Sequence, residues 1–199
     1  MPIRFLINDG ASWVDSNIIA DSNSYLYIKF RCSEVGNNVF SSVSYSDSGA
    51  NSRAFGLGSW DLKYLANYGN YRFFSKDTVA GETLEYTQNK GAIILDWGSG
   101  RETKNLSASF TCASSMIVPG ISRNGTKKSV GAKGANINVF NLRSGDNEVY
   151  LVPFISTTRD GMIDLVNMEF YPNQGTGHFT DTYTLQDGVT PWTPLNQTH

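Results

Sequence analysis

Very few residues in this chain could carry out catalysis. The 199 residues include two histidines, the internal His178 and the terminal His199. A Ser-His-Asp or Cys-His site would have to run through His178, which sits in Gly175-Thr176-Gly177-His178-Phe179. A loop or strand-edge hydrogen-bonding role suits that setting better. Asp61, Glu82, Glu85 and Asp96 are candidate acid–base carboxylates for sugar cleavage. With 18 acidic residues in the chain, however, such pairs arise by chance. Cys32 and Cys112 are too few and too distant for a metal cluster. Gly56-Leu57-Gly58 and Gly98-Ser99-Gly100 lack the strand-to-helix context of a phosphate loop. The expectation is a protein that is not an enzyme and takes no cofactor or metal.

Binding chemistry is better represented. Aromatic residues make up 13% of the chain and crowd into 55–97, where Phe55, Trp60, Tyr64, Tyr68, Tyr71, Phe73, Phe74, Tyr86 and Trp97 mix with Asp61, Asn67, Asn70, Asp96 and Arg101. A flat ring covers the CH face of a sugar, while carboxylates and amides satisfy its hydroxyls. Trp60, Asp61, Tyr64, Tyr68, Asn70, Trp97 and Arg101 are therefore the candidate ligand-binding residues, with Trp60 to Tyr71 the first place to look because it reads as the most loop-rich stretch. The competing reading is that these rings fill a core or a sheet face, since strands favour aromatics anyway.

The elements that would position these residues read as short strands. Apolar residues alternate with polar ones in Tyr25 to Cys32 and Asn105 to Cys112. Similar or short apolar runs follow at Val39 to Tyr45, Tyr71 to Phe74, Thr83 to Tyr86, Ala92 to Trp97, Asn136 to Leu142, Glu148 to Thr157, Met162 to Tyr171 and Phe179 to Leu185. Turn chemistry separates them at Asp47-Ser48-Gly49, Asn89-Lys90-Gly91, Asn124-Gly125 and Ser144-Gly145-Asp146. Asp160-Gly161 carries the signal of a tight hairpin turn. One stretch has helical spacing: Ser59 as a cap, Leu62, Leu65 and Ala66 on one face, and Gly69 as a stop. The pattern predicts an all-β antiparallel sandwich, immunoglobulin-like or jelly-roll-like, with at most that one short helix. Residues 1–186 form a single binding domain, and 187–199 an extended, proline-stiffened tail.

Cys32 and Cys112 each end a core-facing row, Leu26-Ile28-Phe30-Cys32 and Leu106-Ala108-Phe110-Cys112. A disulfide across the core is the expectation, with two buried free thiols as the alternative.

Composition excludes some partners. Charged residues are 17% of the chain, below the roughly 25% of an average soluble domain, and the formal net charge is −2. No basic run exceeds Lys127-Lys128, so the clustered cations that hold nucleic acid are missing. No apolar run approaches the ~20 residues of a membrane span, so insertion in a membrane is not expected. The start, Met1 to Ile7, lacks the long apolar region of a signal peptide. That fits either a protein that is not exported or the mature part of one that is. Asn105, Asn124 and Asn196 begin Asn-x-Ser/Thr sequons, which matter only in a eukaryotic secretory setting.

Gly175-Thr-Gly-His-Phe179-Thr-Asp-Thr-Tyr-Thr-Leu185 resembles the closing strand of bacterial fimbrial subunits assembled by the chaperone–usher route. Glu148-Val-Tyr-Leu-Val-Pro153-Phe-Ile is similar to their penultimate strand pair. The resemblance covers roughly 35 residues of the chain. It implies an extracellular tip adhesin: an elongated sandwich binding host-type glycans without a metal, joined to a fimbrial subunit through the tail. The alternative is a viral or phage structural or receptor-binding protein, made in the cytoplasm, with a jelly-roll fold and a place in the virion.

Overall fold

The computed structural model describes residues 3–44, 53–123, 126–128, 134–155 and 159–184. Eighteen strands account for nearly all of its regular structure. The first sheet runs in the order β10 (Arg101–Asn105), β9 (Ala92–Asp96), β8 (Thr83–Asn89), β3 (Tyr25–Cys32), β14 (Ala135–Ser144), β15 (Asn147–Ile155), β16 (Asp160–Asp164), β17 (Glu169–Pro172). One edge of β14 is divided. Its C-terminal half pairs with β15 and its N-terminal half with β1 (Ile3–Ile7), which in turn pairs with β18 (Thr180–Thr184).

The second sheet has the order β13 (Thr126–Lys128), β12 (Ile121–Arg123), β4 (Val39–Ser44), β5 (Arg53–Trp60), β6 (Lys63–Tyr68), β7 (Tyr71–Asp77). Neighbours are antiparallel in both sheets except for the parallel β12–β4 pair. A ribbon of β2 (Val14–Asp21) and β11 (Thr111–Val118) adds Val14, Ile18, Met116 and Val118 to the core.

The two sheets face one another, so the all-β sandwich expected from the alternation is the fold found. In β3 every second residue is buried, and the Phe30 ring lies 4.3 Å from Phe40 of β4 and 5.6 Å from Tyr64 of β6. Tyr86 of β8 meets Phe74 of β7 edge-on, and its hydroxyl donates to Gln88 Oε1 at 2.6 Å. Burying each large ring stabilises the fold by roughly 2–3 kcal/mol.

Several local expectations are corrected. Residues 59–69 form no helix; they are the end of β5, a two-residue turn, β6 and, at Gly69, the start of the β6–β7 connection. Asp61 and Leu62 both adopt positive φ, 48° and 64°, and Trp60 pairs directly with Lys63 across the turn. Leu62 and Leu65 have helical spacing, but Leu62 is exposed at a tip and Leu65 is buried in a strand. The Asp160-Gly161 dipeptide belongs to β16, opposite Ile155 and Phe154, and makes no turn. A turn at 165–168 splits the Met162–Tyr171 run into β16 and β17. Residues 106–110 keep their alternating burial but belong to no strand. The turns expected at Asp47-Ser48-Gly49 and Asn124-Gly125, and the tail at 187–199, lie outside the described residues.

The cysteines are both buried and both free, which corrects the disulfide. Each faces the core as its row predicted, but at opposite ends of β3. Cys32 closes that strand. Cys112 follows Thr111, the partner of Asp21, and the carbonyl of Phe110 accepts the Ser22 N–H in the β2–β3 turn. The seven residue steps of β3 span about 23 Å, whereas a disulfide needs Cα atoms within about 7 Å.

Candidate functional site

The seven residues singled out by type do not converge. Trp60 is 44% exposed and Asp61 occupies the β5–β6 turn, where its N–H donates to Asn37 Oδ1 at 3.1 Å. Exposed Val35, Leu62 and Val79 belong to the same end of the sandwich, tied by the Thr78 N–H donating to the Leu62 carbonyl at 2.6 Å. Tyr64 is fully buried, its hydroxyl 3.4 Å from Cys32 Sγ. Trp97 is half-buried at the β9–β10 turn, with the Lys76 ammonium 5.4 Å from its ring. Arg101 Nε lies 3.6 Å from Asp96 Oδ2. Tyr68 and Asn70 are at the far end of β6 from Trp60, five steps or about 17 Å along the strand.

Tyr68 and Asn70 do share a site. A cleft of about 490 Å³ opens between the β6–β7 turn and the segment after β10, lined by Tyr68, Gly69, Asn70, Arg72, Asn105, Leu106, Ser107 and Ala108. Glycine shapes both walls. Gly69 has a φ of 67°, and a Cβ there would stand 2.5 Å from the Ala108 Cβ. Across the cleft the Leu106 N–H donates to the Gly91 carbonyl at 2.8 Å, and a Cβ on Gly91 would collide with the Leu106 carbonyl oxygen. Gly91 is itself the second residue of a tight turn, φ 83° after Lys90 at 46°, which matches the expectation from Asn89-Lys90-Gly91.

The floor is fixed by Tyr68. Its hydroxyl donates to the Ser22 carbonyl at 2.7 Å, and its ring meets Phe110 edge-on at 5.1 Å. Burial pushes its pKa up, and nearby Asp21 adds to the shift. At 5% exposure the ring is too deeply buried to serve as a stacking platform. Asn70 Oδ1 accepts the Tyr71 N–H at 2.8 Å. Arg72 Nη1 donates to the Tyr71 carbonyl at 2.8 Å.

The other candidate acids have partners elsewhere: Glu85 with Lys29 at 3.0 Å, Glu82 with Lys76 at 2.8 Å. His178 is exposed; its N–H donates to Asp9 Oδ2 at 2.9 Å, and its Nδ1 lies 3.8 Å from Asp160 Oδ2. Among the described residues no group of three or more His, Cys, Asp or Glu could hold a metal, and no helix is long and apolar enough to cross a membrane.

Sequence reasoning missed Arg72 and Ser107 as site residues, read Leu106 and Ala108 only as members of a core-facing row, and noted Asn105 only as a sequon and the start of an alternating run. No local signal marks them, because the cleft joins segments more than thirty positions apart. Compared with known proteins, the chain matches no family model and no curated protein.

Proposed function

We propose that this chain is a non-catalytic carbohydrate-binding domain and that its site is the cleft beside Tyr68. The carrying observation is the lining: two amides, a hydroxyl and a guanidinium around a small apolar strip. Ligand pockets for apolar molecules are mostly hydrophobic, whereas sugar hydroxyls need donors and acceptors in alternation, which Asn70, Asn105 and Ser107 supply. Leu106 and Ala108 are left for the sugar's CH groups. An extracellular adhesin, carried at a fimbrial tip, is the biological setting that the C-terminal strand's resemblance supports.

A glycan array with the intact protein tests this reading. Binding is expected, and Asn70→Ala or Asn105→Ala should each weaken it by about 1–3 kcal/mol. Trp60→Ala, at the opposite end of the sandwich, should leave it unchanged. An array with no signal would sink the proposal.

The cysteines favour a second reading. Two buried thiols held far apart suit a protein that folds in a reducing compartment, as a viral or phage structural or receptor-binding protein does. Light scattering after size-exclusion chromatography separates the two, since a closed trimer favours the virion and a monomer the isolated adhesin domain.

A further inference from the structure

We infer that the cleft selects glycans carrying an anionic group, a carboxylate or a sulfate, and that Arg72 reads that group. The inference rests on the carbohydrate reading and deepens it.

Among the described residues Arg72 is the one charged residue in the cleft lining, and no acid lines it. β7 is the edge strand of its sheet, and Arg72 pairs with Ala66. Alternation puts Ala66 on the same face as Tyr64 and Tyr68, the face turned toward the other sheet. At this end of β7 that face meets the end of β10 and the segment after it across the cleft. The Arg72 side chain is exposed there, beside Asn105 and Ser107.

The nearby acids are engaged elsewhere. Glu102 accepts from Ser75 Oγ and Lys104 Nζ, both at 2.6 Å. Asp21 Oδ1 accepts the Asn23 N–H at 2.8 Å and the Ser24 hydroxyl at 2.9 Å. Among the described residues the Arg72 side chain has no carboxylate partner, and Nη1 to its neighbour's carbonyl is its one side-chain hydrogen bond. A guanidinium carries five donors in a fixed plane, and a carboxylate or sulfate takes two of them side by side. A neutral sugar would leave most of them to water. A charge on an edge strand also discourages pairing with another sheet. That role alone predicts no effect on ligand choice, so the two roles part experimentally.

The test is an array of defined oligosaccharides in neutral, uronate- or sialate-bearing, and sulfated forms, read with wild type, Arg72→Gln and Arg72→Lys. The acidic forms should bind at least about tenfold more tightly than their neutral counterparts, in keeping with a charged hydrogen bond, and lose affinity as salt rises. Arg72→Gln should abolish that preference at unchanged melting temperature. Arg72→Lys should keep part of it, a point charge without the fork. Preference confined to carboxylates or to sulfates identifies which anion is read. Equal binding of neutral and acidic forms, unaffected by Arg72→Gln, overturns the inference and leaves the carbohydrate reading standing. Silence across the array removes both.

Discussion

Burial pushes the Cys32 thiol up to about 11, despite the opposing contact with the Tyr64 hydroxyl, and the Cys112 thiol up to about 12, with Asp21 adding to the shift. Thiolates are the reactive form, so both cysteines should be inert to a disulfide reagent in the native protein. Two equivalents should appear only on unfolding. Fast native labelling of either would contradict the burial. Raised native values also mean that the thiols favour the folded state below the unfolded value near 8.5, and that this contribution is lost as pH climbs toward 11–12. Two carboxylates act in the opposite direction. Burial opposes charge on Asp9, but the N–H groups of Ala11 and His178 and the Ser12 hydroxyl outweigh it and hold the carboxyl below its ordinary value. Burial likewise opposes charge on Glu102, and Lys104 and Ser75 outweigh it. Their contribution is present above the ordinary carboxylate range of about 4 and is lost as pH falls through the lower native values. Denaturant midpoints measured down the acid side should drop less steeply in Asp9→Asn and Glu102→Gln than in wild type.

The hairpin of β5 and β6 makes the strongest prediction about an element. Leu62 is a bulky residue at φ 64° in a turn that favours glycine. Leu62→Gly should therefore hold or raise stability by about 1 kcal/mol, or about 2–4 °C for a domain of this size. In a helix the same change would cost about 1 kcal/mol, so the sign separates the two structures. On the other side of the molecule, Gly69→Ala drives a methyl into Ala108, and should weaken ligand binding more than it lowers the melting temperature. These elements also explain what was legible beforehand. Strands such as β3 and β8 announce themselves because alternation is written into each residue's neighbours. The turn at Asp61-Leu62 carries no glycine, and Leu62, Leu65 and Ala66 happen to repeat at helical spacing, so a helix was the natural misreading. The facing of both cysteines was readable from their rows, but which end of β3 each occupied depends on pairing with β2. The cleft was readable only through Tyr68 and Asn70, because its other wall arrives from beyond β10.

At the scale of the molecule, the sandwich is closed by rings from both sheets. Phe40→Ala empties the space between Phe30 and Tyr64, and should cost about 3–5 kcal/mol, as large aromatic deletions in cores do. Chemical denaturation would show whether one cooperative transition carries the whole loss, as expected if the sheets share one core. The pairing of β1 with β18 bears on a different property. Ile3 faces Thr184 and Ile7 faces Thr180, so the outer ends of these strands lie side by side. A load pulling residues 3 and 184 apart acts across the ladder rather than along it. Its hydrogen bonds then break one pair at a time, like a zipper, instead of resisting together in shear. In an optical trap with handles at those two positions, the first step should be a low-force peeling of five residue pairs that leaves the sandwich intact. A chain carrying tension through both ends would yield there first, with the cleft beside Tyr68 still formed.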